Sequence, residues 1–547
     1  MPIIKSKQPD LDVVSCNILD WLFPVEKPVS EQPLWIDAND PSNSLSPKQA
    51  LHWVKRLAVG LQRHGVRSGD ACLIFTPNHI FVPVAYLGSV CLGAAFSGAS
   101  PAFTVTELVH QITTVSPKVV FVHPSLRETA LEACSKANIS RSNIFLVSDV
   151  ENASTDGLHD WRALMASPHE SKDWRWPSFT PTQAQKTIGT INFSSGTTGL
   201  PKGVAVTHHN LINNVSQIAS IYNYSSSERW LGFLPLYHAY GQAYAVLNAT
   251  KNTIPIYIMK HFVLEDYLRN IQQYKITRLQ IVPPIMIMLD KRAEVARYDL
   301  SSVQEILCGA APLSKELQHA IERKFKVRVT QGWGLSETTC AATGVPWDKE
   351  PLTGSVGLLL PSTEVRLVDD EGREVGVGEK GEVYVRGPQI AVGYWGNEKA
   401  TAETFEDGWL RTGDVAVINE EGYIWIVDRK KELIKVNALQ VSPAELEAAL
   451  IENPDIDDAA VVGIELPLGE RPRAYVKLAE GARISGKDVQ EWLKPKVAKH
   501  KWLVGGVKIV DEIPKLASGK IQRKVMREWA KRDALEMSRQ PQERARL

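Results

Sequence analysis

The feature that most constrains the fold is an alternation of short apolar runs with longer amphipathic segments between about residues 119 and 330. Strand-like runs occur at 119–122, 144–147, 254–258, 279–282 and 327–330. Segments with helical spacing of apolar residues lie between them, at 210–222, 264–274 and 314–325. Such alternation is typical of right-handed βαβ units. We therefore predict an α/β fold with largely parallel sheets and packed helices.

An uncharged stretch between Asp70 and Glu107 has the length of a membrane span. Pro83 interrupts this stretch, several glycines dilute it, and no Lys or Arg flanks it in the way that marks a cytoplasmic end. A strand at 71–75, a helix from about Asn78 and a second strand at 94–97 explain the same residues as a buried βαβ unit. The sequence therefore favours a buried βαβ unit over a transmembrane segment.

The spacing changes near residue 365 to short strands with tight turns, at 365–368, 381–385 and 423–427. This pattern predicts a small β-rich subdomain. A charged run at 429–432 then precedes an α+β pattern, whose first helix has a predicted capping box formed by Ser442, Pro443 and Glu445. We therefore predict two domains, a large one at 1–428 and a small one at 429–547.

Composition limits the possible functions. Lys plus Arg and Asp plus Glu both number 62, so the formal net charge is zero and nucleic acid is not an expected partner. The six cysteines form no Cys-x-x-Cys pair, which disfavours both a zinc module and a disulfide framework. The first residues lack the apolar core of a signal peptide. These features predict a soluble protein of a reducing compartment.

The strongest local motif is Ser-Ser-Gly-Thr-Thr-Gly-Leu-Pro-Lys-Gly at residues 194–203. Glycines allow backbone N–H groups to point into one concavity, while hydroxyl groups and a lysine add contacts for a polyphosphate. The spacing is not that of a Walker loop, and no helix is expected directly after it. A solvated hairpin is the alternative. The predicted phosphate contacts come from Ser194, Ser195, Gly196, Thr197, Thr198, Gly199 and Lys202.

Six further motifs occur in order, at 234–240, 308–313, 331–338, 410–414, 428–435 and 514–520. Together they resemble the adenylate-forming superfamily, which includes acyl- and aryl-CoA synthetases, 4-coumarate–CoA ligases, beetle luciferases and peptide-synthetase adenylation domains. The resemblance covers essentially the whole chain. It implies a large N-terminal domain of packed sheets with a small β-barrel, and a small mobile C-terminal domain.

The resemblance also implies the chemistry. A carboxylic acid reacts with MgATP to give an acyl-AMP and pyrophosphate, and CoA then takes the acyl group. Lys520 resembles the lysine that bridges carboxylate and α-phosphate, and Glu337 resembles the Mg²⁺ ligand. Without the resemblance, Lys520 would be an ordinary basic residue. ATP, Mg²⁺ and CoA are the predicted cofactors. The remaining nucleotide contacts are predicted at Gly309, Ala310, Ala311, Gln331, Gly332, Trp333 (on adenine), Gly334, Ser336, Asp414 and Arg429 (on ribose).

Other roles follow from the same resemblance. His238 matches a gate of the carboxylate tunnel, although a plain loop histidine is the alternative. Lys431 matches a hinge, and Lys435 and Gln440 match residues that assist adenylation. The CoA tunnel is expected beside Ala438 and Leu439, where the family usually has glycine in place of the alanine, so the added methyl group narrows the tunnel.

The acid pocket is predicted to be apolar because Leu307, Cys308 and Ala243 stand where 4-coumarate ligases often have polar residues. Medium-chain, phenylacetic-like or cinnamic-like acids are therefore favoured. The expected pocket residues are Tyr237, Ala239, Tyr240, Ala243, Leu307, Cys308, Cys340, Ala341 and Ala342.

Alternative functions stay open. An amino-acid-activating domain usually has Asp where this chain has His238, and the scaffold also supports luciferase-like oxygenation, stand-alone adenylation or a catalytically dead regulator. The last three residues, Ala545-Arg546-Leu547, resemble the Ser-Lys-Leu peroxisomal address. This predicts a peroxisomal import receptor as partner in a eukaryote and a cytoplasmic location otherwise. The preceding segment, 538–543, is expected to be extended because it is polar and contains proline.

Overall fold

The computed structural model describes residues 3–147, 157–194, 200–436, 439–466, 469–516 and 519–544. Two large sheets lie within the first 360 residues, except for one edge strand of the first sheet at Gly393–Tyr394. The first sheet has eight strands, in the order Gly393–Tyr394, Lys202–Thr207, Ile188–Ser194, Ala95–Ala99, Ala71–Phe75, Val119–Val122, Ile144–Leu146 and His159–Asp160. Its strands are parallel from Ile188–Ser194 onward. The two strands at the other end pair antiparallel.

The second sheet has seven strands and is parallel except at one edge. Its order is Arg328–Gln331, Glu305–Cys308, Arg278–Ile281, Trp230–Gly232, Ile256–Ile258, Trp35–Asp37 and Ser44–Leu45. The five strands predicted between residues 119 and 330 are all present, with ends shifted by at most two residues. The predicted α/β class with largely parallel sheets is confirmed.

Helices cover both sheets. The longer ones are Pro47–Arg63, Val82–Val90, Val105–Val115, Arg127–Lys136, His208–Ile221, Leu264–Tyr274, Pro283–Lys291 and Lys315–Phe325. The shorter ones are Ile18–Leu22, Pro168–Ser171, Pro181–Lys186, Ala239–Gly241, Ala249–Asn252 and Glu398–Thr404, with a π-helix at Gln242–Asn248. The helix predicted at 264–274 has those bounds. Ser314 caps the helix Lys315–Phe325.

The uncharged stretch forms the buried βαβ unit that the sequence predicts. Every residue of the helix Val82–Val90 is buried, as are the strands on either side. The helix begins four residues later than expected, because the Asn78 side chain bonds to the backbone of the loop at 233–236. Throughout the described part of the chain, every helix is too short or too polar to span a bilayer.

The β-rich subdomain predicted from about residue 365 is a seven-stranded antiparallel sheet, the third sheet. Its strands are Ile4–Lys5, Glu364–Val368, Glu374–Val375, Lys380–Arg386, Phe405–Glu406, Trp409–Ile418 and Ile424–Arg429. Pairing with Ile4–Lys5 joins the start of the chain to this sheet. A separate two-stranded ladder joins Thr343–Gly344 to Leu358–Leu359.

The C-terminal part is α+β. Its strands are Ile434–Val436, Leu439–Val441, Ile456–Leu466, Gly469–Leu478 and Val507–Ile509, and its helices are Pro443–Ile451, Gly486–Leu493 and Arg523–Arg544. Ser442 caps the first of these helices, but Glu445 bonds to Lys501 and does not complete the predicted capping box. The exact domain boundary at Asp428 stays a prediction.

The prediction of an extended tail at 538–543 is wrong. The backbone is helical from Arg523 to Arg544 and continues through Pro541. Glutamine, glutamate and arginine around the proline are strong helix formers, which favours continuation of the helix. Residues 545–547 lie outside the described residues.

Candidate active site

The site begins at the carboxyl edge of the second sheet. The strands Glu305–Cys308 and Arg328–Gln331 are parallel neighbours, with Cys308 opposite Gln331. The loops that follow them, at Gly309 and Gly332, therefore start side by side. Ligands of open α/β sheets bind at such edges, outside the carboxyl ends of the strands.

Two backbone features shape these loops. Ala310 has a φ of 70°, in the left-handed region that non-glycine residues rarely adopt. A Cβ atom on Gly334 would lie 2.1 Å from the Cys340 carbonyl oxygen, so only glycine fits there. The loop at 332–341 therefore folds back closely on itself.

Trp333 of this loop forms a polar cluster with Asp414 and Arg429. The Trp333 indole N–H donates to Asp414 Oδ2 at 2.8 Å, and Arg429 Nε lies 3.2 Å from Asp414 Oδ1. Asp414 and Arg429 are opposite each other on paired strands of the third sheet. Burial raises the pKa of the Asp414 carboxyl, while Arg429 and Trp333 oppose this effect. The cluster links the loop after the second sheet to the third sheet.

Two cavities meet at these residues. We call the larger one the cleft; it separates the sheet edges from the C-terminal part. The smaller one, which we call the inner pocket, extends from the cleft toward the helix His208–Ile221. Residues that line both cavities are Ala310, Gly332, Trp333, Gly334, Leu335 and Lys520.

Lys520 lies where the two cavities meet. Its loop is turned by Gly519, whose φ is 78° and whose Cα faces Pro284. Burial, and then the Arg429 charge, lower the pKa of the Lys520 ammonium group to about 8. Burial, and then Lys520, lower the pKa of His238 to about 4. At neutral pH a cationic lysine therefore faces a neutral histidine.

The inner pocket contains most of the predicted acid-binding residues. His238, Ala239, Tyr240, Leu307, Cys340 and Ala341 line it, together with Gly309 and Ser336. Tyr240 and Tyr244 meet edge to face with centroids 5.1 Å apart. The Tyr240 hydroxyl lies 3.5 Å from the Leu307 carbonyl oxygen.

Four predicted pocket residues do not line the inner pocket: Tyr237, Ala243, Cys308 and Ala342. The Tyr237 hydroxyl instead accepts a hydrogen bond from the Ser100 hydroxyl at 3.2 Å. Side chains alternate along a strand, so Leu307 faces the pocket while Cys308 packs on the other side of the sheet. Ala243 and Ala342 are buried in cores.

Sequence reasoning missed several lining residues. Ile218, Ile221 and Tyr222 come from one face of the helix His208–Ile221 and its end, and Tyr244 comes from the π-helix. The pocket wall therefore includes Tyr222 and Tyr244, two hydroxyl-bearing residues that the prediction of an apolar pocket from Leu307 and Cys308 did not include. Helical spacing at 218, 221 and 222 was visible in the sequence, but a buried core helix has the same pattern.

The described ends of the phosphate motif lie on two antiparallel strands, with Ser194 opposite Lys202. Ser195, Gly196, Thr197, Thr198 and Gly199 lie outside the described residues, so their predicted contacts stay predictions. Ala311 and Gln331 line the cleft, and the Gln331 amide donates to Gln318 Oε1 at 3.1 Å. The nucleotide contacts predicted for Ala311 and Gln331 stay predictions.

Glu337 and Lys202 both contact Tyr394. The Tyr394 hydroxyl donates to Glu337 Oε1 at 2.9 Å, and Lys202 Nζ lies 4.6 Å from the centroid of the ring. Glu337 is a hard oxygen donor that suits a divalent cation. No group of three or more His, Cys, Asp or Glu residues suited to a metal occurs among the described residues. A cation at Glu337 would therefore take its other ligands from phosphate oxygens and water.

Lys435 and Gln440 do not join the cavity in this arrangement. They face each other in a two-stranded ladder, with Lys435 exposed and the Gln440 amide donating to Asp370 Oδ2 at 2.8 Å. Lys431 is exposed, and its carbonyl oxygen accepts from Arg527. Ala438 lies outside the described residues, and so does the Leu439 side chain. The roles predicted for these residues stay predictions.

Comparisons with known proteins agree with this geometry. The chain matches the model of the AMP-binding enzyme family at residues 25–395 and that of the AMP-binding enzyme C-terminal domain at 445–520. It is 36% identical over 525 residues to the acyl-CoA synthetase ACTT5 of Alternaria alternata, covering 93% of this chain and 90% of that one. It is 33% identical over 534 residues to the phenylacetyl-CoA ligase epaB of Aspergillus niger, covering 96% and 98%.

Among solved structures, the ATP-bound MatB of Rhodopseudomonas palustris is 26% identical, with a TM-score of 0.83 and coverage of 95% of this chain and 99% of that one. The family matches span both the sheet edges and the segment that carries Lys520. The chain is a member of the AMP-binding enzyme family.

Proposed function

We propose that this chain is an AMP-forming acid–thiol ligase, which converts a carboxylic acid and MgATP to an acyl-AMP and pyrophosphate and then transfers the acyl group to CoA. The observation that carries the proposal is the position of Lys520, which lines both the cleft and the inner pocket. A nucleotide in the cleft and an acid in the inner pocket would meet at its ammonium group.

In the first step a carboxylate oxygen of the acid attacks the α-phosphorus of ATP, and pyrophosphate leaves with the electron pair of the broken P–O bond. Two anions must approach each other, so a positive group between them lowers the barrier. Lys520 supplies this charge. Mg²⁺, when bound at Glu337, would neutralise charge on the phosphate oxygens.

The polar cluster is the proposed nucleotide site. The Trp333 indole would stack on adenine, with Gly309, Ala310 and Ala311 as the opposite wall. Asp414 and Arg429 would bind the ribose, and Lys202 and Ser336 the phosphates. The Trp333 indole N–H already donates to Asp414. One hydrogen bond therefore fixes the proposed adenine-binding residue relative to the proposed ribose-binding residue.

The acid is proposed to be an apolar aryl or medium-chain carboxylic acid. Aliphatic side chains and the rings of Tyr240 and Tyr244 surround the inner pocket, and His238 would close its mouth. The described residues that line it include no Asp or Glu, so an amino-acid ammonium group would lack a counter-ion there. This disfavours the amino-acid-activating alternative.

The second step needs a path for the CoA thiol. The small domain, proposed as residues 429–547, would rotate about Lys431 and withdraw Lys520 from the site. Lys435 and Gln440 would change surroundings in this motion, and Ala438 and Leu439 would border the thiol tunnel. The CoA sulfur then attacks the acyl carbon and AMP leaves.

The test is an ATP–pyrophosphate exchange assay over a panel of acids, followed by product analysis with and without CoA. We expect exchange that depends on an aryl or medium-chain acid, and acyl-CoA only when CoA is present. Exchange without formation of acyl-CoA would indicate a stand-alone adenylating enzyme. Light or an oxygenated product would indicate luciferase-like chemistry. Absence of exchange with every acid of the panel would contradict the proposal.

We also propose peroxisomal import if the source is a eukaryote and the chain ends at Leu547. The support is the Ala545-Arg546-Leu547 sequence after a polar helix. A fluorescent protein carrying residues 541–547 at its end should co-localise with a peroxisomal marker, and removal of Leu547 should return it to the cytosol. Diffuse fluorescence from the intact tail would reject this location and leave the enzymatic proposal unaffected.

A further inference from the structure

The segment 391–395 joins two separate parts of the proposed phosphate site. Its backbone bonds to the strand that starts at Lys202, with Val392 N–H donating to Ala205 O at 3.2 Å and Trp395 N–H to Gly203 O at 2.7 Å. It also bonds to the loop of the second sheet, because Ala391 N–H donates to Glu337 O at 2.9 Å. The segment therefore fixes the strand that starts at Lys202 relative to Glu337.

The side chain of Tyr394 repeats this link at the level of the charged groups. Its hydroxyl donates to Glu337 Oε1 at 2.9 Å, and its ring face lies 4.6 Å from Lys202 Nζ. The ring packs edge to face on Phe405, with centroids 5.7 Å apart. One tyrosine thus contacts the proposed cation ligand and the proposed phosphate lysine at once.

A tyrosine between these two groups has a physical consequence. A glutamate and a lysine that contact the same side chain could otherwise form a direct ion pair, in which each would neutralise the other. The Tyr394 side chain satisfies the carboxylate with a hydrogen bond and the ammonium with its π-face, so neither charge is cancelled. Both charges then stay available for the cation and the phosphates of a nucleotide.

We propose that Tyr394 is a positioning residue that holds Glu337 and Lys202 apart and oriented, so that they receive a divalent cation and the ATP phosphates together. This inference rests on the proposed function, since it concerns the same nucleotide site. No local pattern predicts this role, because Gly-Tyr-Trp at 393–395 has the composition of any short strand.

The test compares two substitutions that remove the contacts in turn. Tyr394→Phe removes the hydrogen bond to Glu337 and keeps the ring face for Lys202, whereas Tyr394→Leu removes both. The matched control is Tyr423→Phe, which removes a 2.8 Å hydroxyl bond to the Glu350 carbonyl oxygen in a region outside both cavities.

Calorimetric binding of ATP with Mn²⁺, without acid or CoA, is the first readout. We expect Tyr394→Phe to weaken this binding about three- to tenfold, the scale of the net contribution of one typical hydrogen bond, and Tyr394→Leu to weaken it further. ATP binding without a cation should change less in Tyr394→Phe. In the exchange assay, KM for MgATP should rise and KM for the acid should not.

Unchanged Mn²⁺–ATP affinity in Tyr394→Phe, with normal folding, would overturn the inference. Equal weakening in Tyr423→Phe, or equal rises in both KM values with a lower unfolding midpoint, would show a structural role only and would also overturn it. The binding arm needs no turnover. Absence of acyl-AMP from the wild-type chain would therefore reject the proposed function and still leave the inference on Tyr394 measurable.

Discussion

The nucleotide side and the acid side of the site are built differently. The nucleotide side consists of loop residues at strand ends and of residues paired across the third sheet, such as Trp333, Asp414 and Arg429. The acid side consists of side chains from helices that also form the hydrophobic core, such as Ile218 and Tyr244. Loop residues with special backbone geometry leave motifs in the sequence, whereas a core helix that lines a pocket looks like any other core helix.

This contrast predicts that the two sides fail separately, with Lys520 as the exception because it lines both. Lys520→Ala should reduce adenylation about 10²-fold or more, the scale of one transition-state charge contact. Thioester formation from preformed acyl-AMP should be much less affected. Lys531→Ala, at an exposed lysine on the helix Arg523–Arg544 that follows the Lys520 loop, is the control. Equal loss in both half-reactions would contradict a role confined to adenylation.

A change on the nucleotide side should raise KM for ATP alone. Asp414→Asn weakens the contact with the Arg429 guanidinium. We expect KM for ATP to rise roughly ten- to a hundredfold, the scale of losing one hydrogen bond to a charged group. Steady-state kinetics with each substrate varied in turn would measure this effect. Asp369→Asn, which removes a surface contact to Arg373, is the matched control. A parallel rise in KM for the acid would contradict the prediction that the two sides fail separately.

The charge of Lys520 should also set the alkaline limb of adenylation. Its pKa lies near 8, so the ammonium form is lost as the pH rises through that value. We expect kcat/KM for adenylation to fall above pH 8 by roughly tenfold per unit. Lys520→Arg stays protonated across this range, so its residual activity should show a flatter limb. An unchanged limb in that variant would assign the titration to another group.

A change on the acid side should alter acid selectivity and leave KM for ATP unchanged. Ile218→Ala enlarges the inner pocket, so bulkier acids should gain several-fold relative to smaller ones, and the truncation should cost about 2–5 kcal/mol of unfolding free energy. Ile212→Ala lies in the same helix, is equally buried and does not line the pocket. It should lose similar stability with no shift in selectivity. A similar shift in both variants would point to general loosening of the core.

The smallest effect is expected in the thioester step. Ala438→Gly removes the methyl group that narrows the predicted CoA tunnel, so CoA turnover should rise by a few-fold while pyrophosphate exchange stays nearly unchanged. Stopped-flow mixing of preformed acyl-AMP with CoA measures this step directly. No gain in the variant would remove the tunnel argument.

The sequence by itself determined the α/β class, the five strands and three helices predicted between residues 119 and 330, and the family motifs. These follow from local patterns: apolar periodicity, capping residues, and glycine where the backbone must turn or approach closely, as at Gly334. Such requirements act on neighbouring residues, so they are visible in a linear chain.

Only the tertiary structure decided which apolar residues line the inner pocket and which fill the core. Cys308 and Leu307 are neighbours of similar polarity, but alternation along a strand sends one into the core and the other into the pocket. The meeting of Tyr394 with Glu337 and Lys202 likewise joins residues 57 and about 190 positions apart, through strand pairing that no local pattern specifies. Packing over such separations depends on the whole fold, because each contact exists only when the sheets and loops that carry it are already in place.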